Sequence, residues 1–136
     1  MDISEFAWPV RVYYEDTDSG GVVYYANYLK FMERCRTEWL RAHGFAQSDL
    51  LREHGLIFVV HDVQISYLRP AVFDDLLQVS VKIHATGRSW IEFSQSIVRG
   101  SEILSRAQVK IVCVNQASFK PFPIPDTIKE KLEFPS

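Results

Sequence analysis

The feature that most constrains this chain is one long amphipathic helix followed by four alternating runs joined by short turns. From about Asn27 to Ala42, the residues Tyr28, Phe31, Met32, Cys35, Trp39 and Ala42 recur at steps of three and four. Lys30, Glu33, Arg34, Arg36 and Glu38 occupy the other side. This spacing predicts an amphipathic helix of four to five turns, with Gly44 in the usual place for a helix stop. Gln47 to Glu53 adds a shorter helical piece before Gly55. Beyond it the period drops to two. Val59, His61, Val63, Ile65 and Tyr67 alternate with Val60, Asp62, Gln64 and Ser66, and Leu77, Val79, Val81 and Ile83 with Gln78, Ser80, Lys82 and His84. Ile91, Phe93 and Ile97 form a third such run, and Val109, Ile111 and Cys113 a fourth. Asp74-Asp75, Gly87-Arg88 and Gly100-Ser101 punctuate the runs and read as hairpin turns.

An earlier β-branched and aromatic stretch, Val10 to Tyr14, supplies a fifth strand. The connections between the later strands leave little room for crossover helices, so the sheet is expected to be mostly antiparallel. The fold class is therefore α+β, in the order strand, long helix, four strands. Strands of about ten residues span roughly 33 Å, and a helix of about 16 residues roughly 24 Å, so one helix can lie along one sheet face. The other face and a long edge strand stay uncovered. Long open edges are hazardous in a monomer, and the chain is expected to be an oligomer, a homodimer or homotetramer.

Composition narrows the function classes. At 136 residues with 47% hydrophobic content, the chain is expected to form one domain over residues 1–136. Fifteen basic against seventeen acidic residues give a net charge of −2, which offers no electrostatic footprint for nucleic acid. No apolar run approaches the roughly 18 residues of a membrane span. Met1-Asp2-Ile3-Ser4-Glu5 places an acid where a signal peptide carries basic residues, so a cytoplasmic location is expected, with Cys35 and Cys113 as reduced thiols. Both fall on apolar faces and read as packing residues.

The segment Glu15-Asp16-Thr17-Asp18-Ser19-Gly20-Gly21 carries the chemistry that the rest of the chain lacks. A carboxylate at Asp18 lies in a glycine-bearing loop, seven residues before Tyr25 and close to where the helix begins. A helix N-terminus presents unpaired N–H groups and partial positive charge that can stabilise an oxyanion, while a nearby carboxylate serves as nucleophile or general base. On spacing alone, Asp16 and Asp18 are equally readable as turn or capping residues. A calcium loop lacks its downstream bidentate glutamate. His43, His54, His61 and His84 show no paired ligand spacing, and His61, on an apolar-facing strand position, reads as a core residue. No serine nucleophile elbow, phosphate loop or dinucleotide fingerprint is present.

The segment Tyr14 to Tyr28, with Asp16-Thr17-Asp18, Gly21-Val22-Val23-Tyr24 and Asn27-Tyr28, resembles the active-site segment of hotdog-fold acyl-CoA thioesterases. The branch is the one named after 4-hydroxybenzoyl-CoA thioesterase. The resemblance continues through Phe31 to Glu38 and through Tyr67-Leu68-Arg69-Pro70-Ala71 to Asp75. It is nearest to the Tol–Pal-associated (YbgC-type) acyl-CoA thioesterases. It implies a hotdog fold, a curved antiparallel five-stranded sheet wrapped around one long helix, with sites between two subunits. It also implies hydrolysis of acyl-CoA, with acyl carrier protein thioesters as a second substrate class, without metal or other cofactor, coenzyme A being part of the substrate. Asp18 would attack the thioester or activate water, and the Tyr25 N–H would polarise the carbonyl. Gly20 and Gly21 belong to the same substrate-binding loop. Arg88 matches a basic position that meets the nucleotide phosphates in one relative, beside the plain reading of a solvated hairpin arginine. Tol–Pal-associated members usually carry histidine at the place of Tyr25, whereas the 4-hydroxybenzoyl branch carries tyrosine. Phe31, Met32, Phe58 and Val60 are candidates for the acyl end. Two other readings stand beside hydrolysis. A hydroxyacyl dehydratase would resemble its relatives through His-x-x-x-Gly-x-x-Pro, which this chain lacks. The other is a non-catalytic acyl-CoA-binding or scaffold protein.

Overall fold

A computed structural model describes residues 5–132. Strand β1 (Phe6–Arg11) is followed by a 3₁₀ turn at Tyr14–Asp16 and then by helices α1 (Ala26–Ala42) and α2 (Gln47–His54). Strands β2 (Leu56–Tyr67), β3 (Leu76–Thr86), β4 (Trp90–Arg99) and β5 (Glu102–Asn115) come next, and helix α3 (Asp126–Lys131) closes the described chain. The five strands form one antiparallel sheet in the order β1-β3-β4-β5-β2.

Helix α1 forms where the period of three and four predicts it. Tyr28, Phe31, Met32, Cys35, Trp39 and Leu40 are buried against the sheet, whose facing residues include Val79, Val81, Phe93 and Val109. Ala42, expected in the stripe, is exposed at the helix's last turn, and Leu40 takes the inner place. Gly44 follows with φ +89, a left-handed conformation that a side chain resists. Arg36 was expected on the polar face. It folds inward instead, and its Nη1 donates to the Gln95 side chain at 2.8 Å beneath the helix. Gln95 in turn donates to the Met32 carbonyl at 3.0 Å.

The strand expected over Val10 to Tyr14 lies earlier, at Phe6–Arg11, and Tyr14 opens the 3₁₀ turn. Asp74-Asp75 is no hairpin turn, because β2 and β3 are separated by two strands. The segment between them crosses the end of the sheet over the β4–β5 turn. It is held there by Leu68 N–H to Leu104 O at 2.8 Å and by an Arg99–Asp75 ion pair at 2.6 Å. His61 is not a core residue. It is the extra residue of a β-bulge, since Val60 pairs with Ile111 and Asp62 with Lys110. The bulge breaks the alternation that the sequence suggests. Phe58 and Val60 lie opposite Cys113 and Ile111 on the helix side before it, and Val63 and Ile65 lie opposite Val109 and Ala107 after it. His61 and Asp62 are both exposed.

Cys35 and Cys113 are buried free thiols, as expected. Burial pushes Cys35 up to about 12 and Cys113 up to about 11, so almost no thiolate exists at neutral pH. Neither thiol is expected to react with a disulfide reagent until the protein is denatured, when two equivalents should titrate. Gly87 is required for space. A Cβ there would lie 2.1 Å from the Trp90 indole nitrogen, in a ring that also packs against the Lys110 ammonium, 4.4 Å from its centroid. Gly87→Ala should therefore cost about 1–3 kcal/mol, read as a lower urea midpoint with unchanged slope.

Candidate active site

The loop from Tyr13 to Tyr25 is folded by its own polar groups. The Asp16 carboxylate accepts from Tyr13 N–H at 2.8 Å, and the Thr17 hydroxyl donates to Tyr14 O at 2.7 Å. The loop then doubles back, with Asp18 N–H donating to Val22 O at 2.9 Å and a bridge between Thr17 and Val23. Gly21 makes the reversal with φ +81, which favours glycine. A second bridge, Val22 to Val72, and a bond from Val23 N–H to Ala71 O at 2.9 Å dock the loop on the crossover segment.

Asp18 is exposed at the tip of this reversal. One carboxylate oxygen accepts from Gly20 N–H at 2.8 Å. The other has no hydrogen-bond partner among the described residues. The arrangement is thus the turn that spacing allowed, with half of the carboxylate still available. Gly20 also leaves room: a Cβ there would stand 3.2 Å from the Asp18 oxygen.

Helix α1 begins directly beyond. Tyr25 stands at its N-cap with φ −58 and ψ −30, no side chain caps the end, and the first turn holds no acidic residue. The positive end of the helix is therefore left without a compensating anion. Asn27 and Tyr28 N–H groups bond back to Tyr24 O and Tyr25 O, but Tyr25 N–H has no acceptor among the described residues. The Asn27 side chain ties the helix start to the loop by donating to Asp16 O at 2.9 Å.

Two tyrosines that sequence reasoning did not assign to the site hold this corner together. Tyr67, at the end of β2, donates its hydroxyl to Tyr25 O at 3.1 Å, and its ring meets those of Tyr25 and Tyr28 edge-on. The Tyr28 hydroxyl accepts from Ala71 N–H at 2.9 Å. Partial burial raises the Tyr67 phenol, and a hydrogen bond with Tyr25 raises that of Tyr24, so both stay protonated at neutral pH. Val23, Tyr25, Tyr28, Tyr67 and Pro70 line an open groove of about 270 Å³ beside the helix start.

Arg88 is not part of this corner. It sits exposed in the β3–β4 turn, at the end of the sheet where β4 begins, whereas Tyr25 and Tyr67 stand at the end where β4 finishes. Ten residues of β4 separate the two ends, about 30 Å. Near Arg88's end lies a second cavity, of about 240 Å³, lined by Arg36, Trp39, Phe58, Val60, Ile91 and Phe93 among others. Phe58 and Val60 thus line a chamber, while Phe31 and Met32 are fully buried in the core and line neither cavity. Among the described residues no group of three or more His, Cys, Asp or Glu side chains could hold a metal ion, and no helix is long and apolar enough to cross a membrane.

Comparison with known proteins bears on this geometry. The family described as the thioesterase superfamily matches residues 20–105, a stretch that includes Tyr25, Tyr67 and Arg88 and begins two residues after Asp18. The acyl-CoA thioesterase YbgC of Haemophilus influenzae is 48% identical over 124 residues, covering 91% of each chain. A probable thioesterase from Bartonella henselae superposes with a TM-score of 0.84 at 37% identity, covering 89% of this chain and 99% of that one. An aspartate-to-asparagine mutant of 4-hydroxybenzoyl-CoA thioesterase, complexed with 4-hydroxybenzoyl-CoA, superposes with a TM-score of 0.89. It covers 95% of this chain and 99% of its own, and at 17% identity it speaks for the fold alone. The family match over residues 20–105, the identity to the YbgC relative and the superposition over most of the chain show that the chain belongs to the thioesterase superfamily, as a thioester hydrolase of the hotdog fold.

Proposed function

We propose that the protein hydrolyses acyl-CoA thioesters to a free carboxylic acid and coenzyme A. The observation that carries this reading is the pairing of a half-free carboxylate at Asp18 with the unengaged Tyr25 N–H at an uncapped helix start. The thioester carbonyl oxygen points at the Tyr25 N–H. Asp18 then acts in one of two ways: its carboxylate attacks the carbonyl carbon, or it takes a proton from a water that attacks. Either route places negative charge on the carbonyl oxygen, where a preorganised donor lowers the barrier most. Collapse breaks the carbon–sulfur bond and expels the coenzyme A thiolate. A thiol of pKa near 8.5 leaves without a strong general acid. If Asp18 attacks, water hydrolyses the resulting anhydride. Gly20 and Gly21 shape the loop so that substrate can approach the carboxylate. The same chemistry extends to acyl carrier protein thioesters, which present the same thiol arm.

The working unit of this reading is a dimer. The two sheet edges differ: β1 is six residues long and carries Pro9, a residue that blocks strand pairing, whereas β2 has twelve residues and no proline. Antiparallel pairing of two β2 edges brings the Asp18 end of one copy beside the Arg88 end of the other. Arg88 then reaches the nucleotide phosphates, and the chamber of Phe58 and Val60 receives the acyl group. This separation of parts also explains why Asp18 and Arg88 lie at opposite ends of one chain.

The test is an acyl-CoA turnover assay with free-thiol detection on the purified protein, alongside sedimentation. Because Cys35 and Cys113 are buried, the native protein should contribute no background thiol. Stoichiometric release of coenzyme A by a species of at least twice 15.7 kDa is expected. Binding without turnover would favour a scaffold, and an active 15.7 kDa monomer would remove the dimer.

A further inference from the structure

The bulge at His61 restricts how two β2 edges can pair. Along β2 the helix-side residues are Leu56, Phe58 and Val60 before the bulge and Val63, Ile65 and Tyr67 after it. A two-fold pairing must set helix-side residues against helix-side residues, because a one-residue slip turns every side chain to the other face. Placing Leu56 opposite Tyr67 satisfies this along the whole strand, with Phe58 opposite Ile65 and Val60 opposite Val63. Shifting the sum of paired positions by two sets Val60 against His61, or Asp62 against Val63. One register therefore uses all twelve residues and matches both faces, and it puts His61 of each copy opposite Asp62 of the other.

We infer, on the basis of the dimer reading above, that two copies meet at β2 in this register and that reciprocal His61–Asp62 pairs on the two-fold axis lock it. Both side chains are exposed, and neither has an ion pair in the described chain. The charge that faces Asp62 from β5 is Lys110, and its ammonium sits over the Trp90 ring 4.4 Å from the centroid. The next cation along β5 is Arg106, opposite Ser66. Helix α2, packed at the strand's beginning, carries Asp49, Arg52, Glu53 and His54, of which Arg52 bridges Asp49 and Glu53. Residues directly opposite in an antiparallel pair have Cβ atoms about 4.5–5.5 Å apart, close enough for imidazole and carboxylate to bond. The pair is self-complementary: one histidine and one aspartate per copy give two bonds across the axis.

The test uses full-length protein in sedimentation velocity over a concentration series. His61→Asp, which sets four carboxylates on the axis, should weaken the dimer at least tenfold. The swap His61→Asp with Asp62→His should recover affinity to within about threefold of wild type. A swap as weak as the single variant overturns the lock. Cross-linking reads the register where dissociation is too weak to measure. His61→Cys with Asp62→Cys should oxidise to a covalent dimer, while Gln64→Cys, placed opposite Val59, should not. The reverse pattern overturns the register. Turnover of acyl-CoA is measured separately, so a protein that dimerises in this way but hydrolyses nothing refutes the proposed activity and leaves the interface standing.

Discussion

Asp18→Asn is expected to fold and assemble like the wild type while losing about a hundred- to ten-thousandfold in kcat. The substitution is informative because of how Asp18 is held. One carboxylate oxygen accepts from Gly20 N–H at 2.8 Å, and an asparagine carbonyl can accept the same bond with the same reach. Asparagine is as good a turn residue as aspartate. If Asp18 only folds the loop, the variant keeps its activity. If Asp18 is nucleophile or general base, the amide can neither attack nor take a proton, and kcat falls while KM changes little. Asp18→Ala does not separate the two roles, because it removes the loop's bond together with the carboxylate. The measurement is steady-state coenzyme A release by purified Asp18→Asn, with circular dichroism and sedimentation to establish fold and assembly. A kcat within threefold of wild type would return Asp18 to the status of a turn residue.

The parts of the fold that the sequence made legible are those set by local periodicity. The stripe Tyr28-Phe31-Met32-Cys35-Trp39 needs only the helix repeat to be read, and Gly44 and Gly55 mark the ends of α1 and α2 through their positive φ. The first strand was placed too late, since β1 runs Phe6–Arg11 and Tyr14 lies in a 3₁₀ turn; the four later strands were readable, with one instructive failure. A bulge adds a single residue, and nothing in Val60-His61-Asp62 distinguishes the extra residue from a regular one. Alternation carried through that point assigns Val59 and His61 to the wrong face. Asp74-Asp75 misled for a related reason. Turn chemistry shows that the chain bends but not which strands lie on either side, and here the strands are not neighbours.

The candidate site divides along the same line. Asp18, Gly20, Gly21 and Tyr25 fall within eight residues, so their spacing alone brought them to notice. Tyr67 and Tyr28 act through bonds that span 42 and 43 residues, to Tyr25 O and Ala71 N–H, and no local pattern reveals such a contact. Arg36 looked like a surface charge because its position on the helix wheel is polar. Its long side chain nevertheless passes under the helix to Gln95, and its removal from water lowers its pKa. Arg88 is the opposite case. The resemblance names it, but a single chain leaves it about 30 Å from Asp18, so its use depends on a second copy.

Tyr25 allows the oxyanion assignment to be tested at a position where the backbone and the side chain can be changed separately. Tyr25→Phe keeps the N–H and the ring, which packs against Tyr24 at 4.8 Å and Tyr67 at 6.0 Å. It removes a hydroxyl on a largely exposed side chain, a loss worth roughly 1 kcal/mol or less. Its kcat is expected to stay within about tenfold, a change of roughly 1.4 kcal/mol. Tyr25→Pro removes the N–H and should lower kcat by about a hundred- to a thousandfold, the range seen when an oxyanion donor is lost. Proline is usually a poor probe because it strains the backbone, but here the site suits it. Tyr25 has φ −58, close to proline's fixed angle of about −65°, and its N–H bonds to no group among the described residues. Position 25 also precedes the first helical residue, where proline is tolerated, and Tyr24 lies outside the helix. Thermal unfolding of the proline variant close to the wild type, combined with the predicted loss of turnover, would assign the effect to the missing donor. A thousandfold loss in a well-folded Tyr25→Phe would instead mean that the phenol takes part in the chemistry. Near-normal turnover in a folded Tyr25→Pro would mean that the carbonyl oxygen is held elsewhere, and the helix start would lose its place in the mechanism.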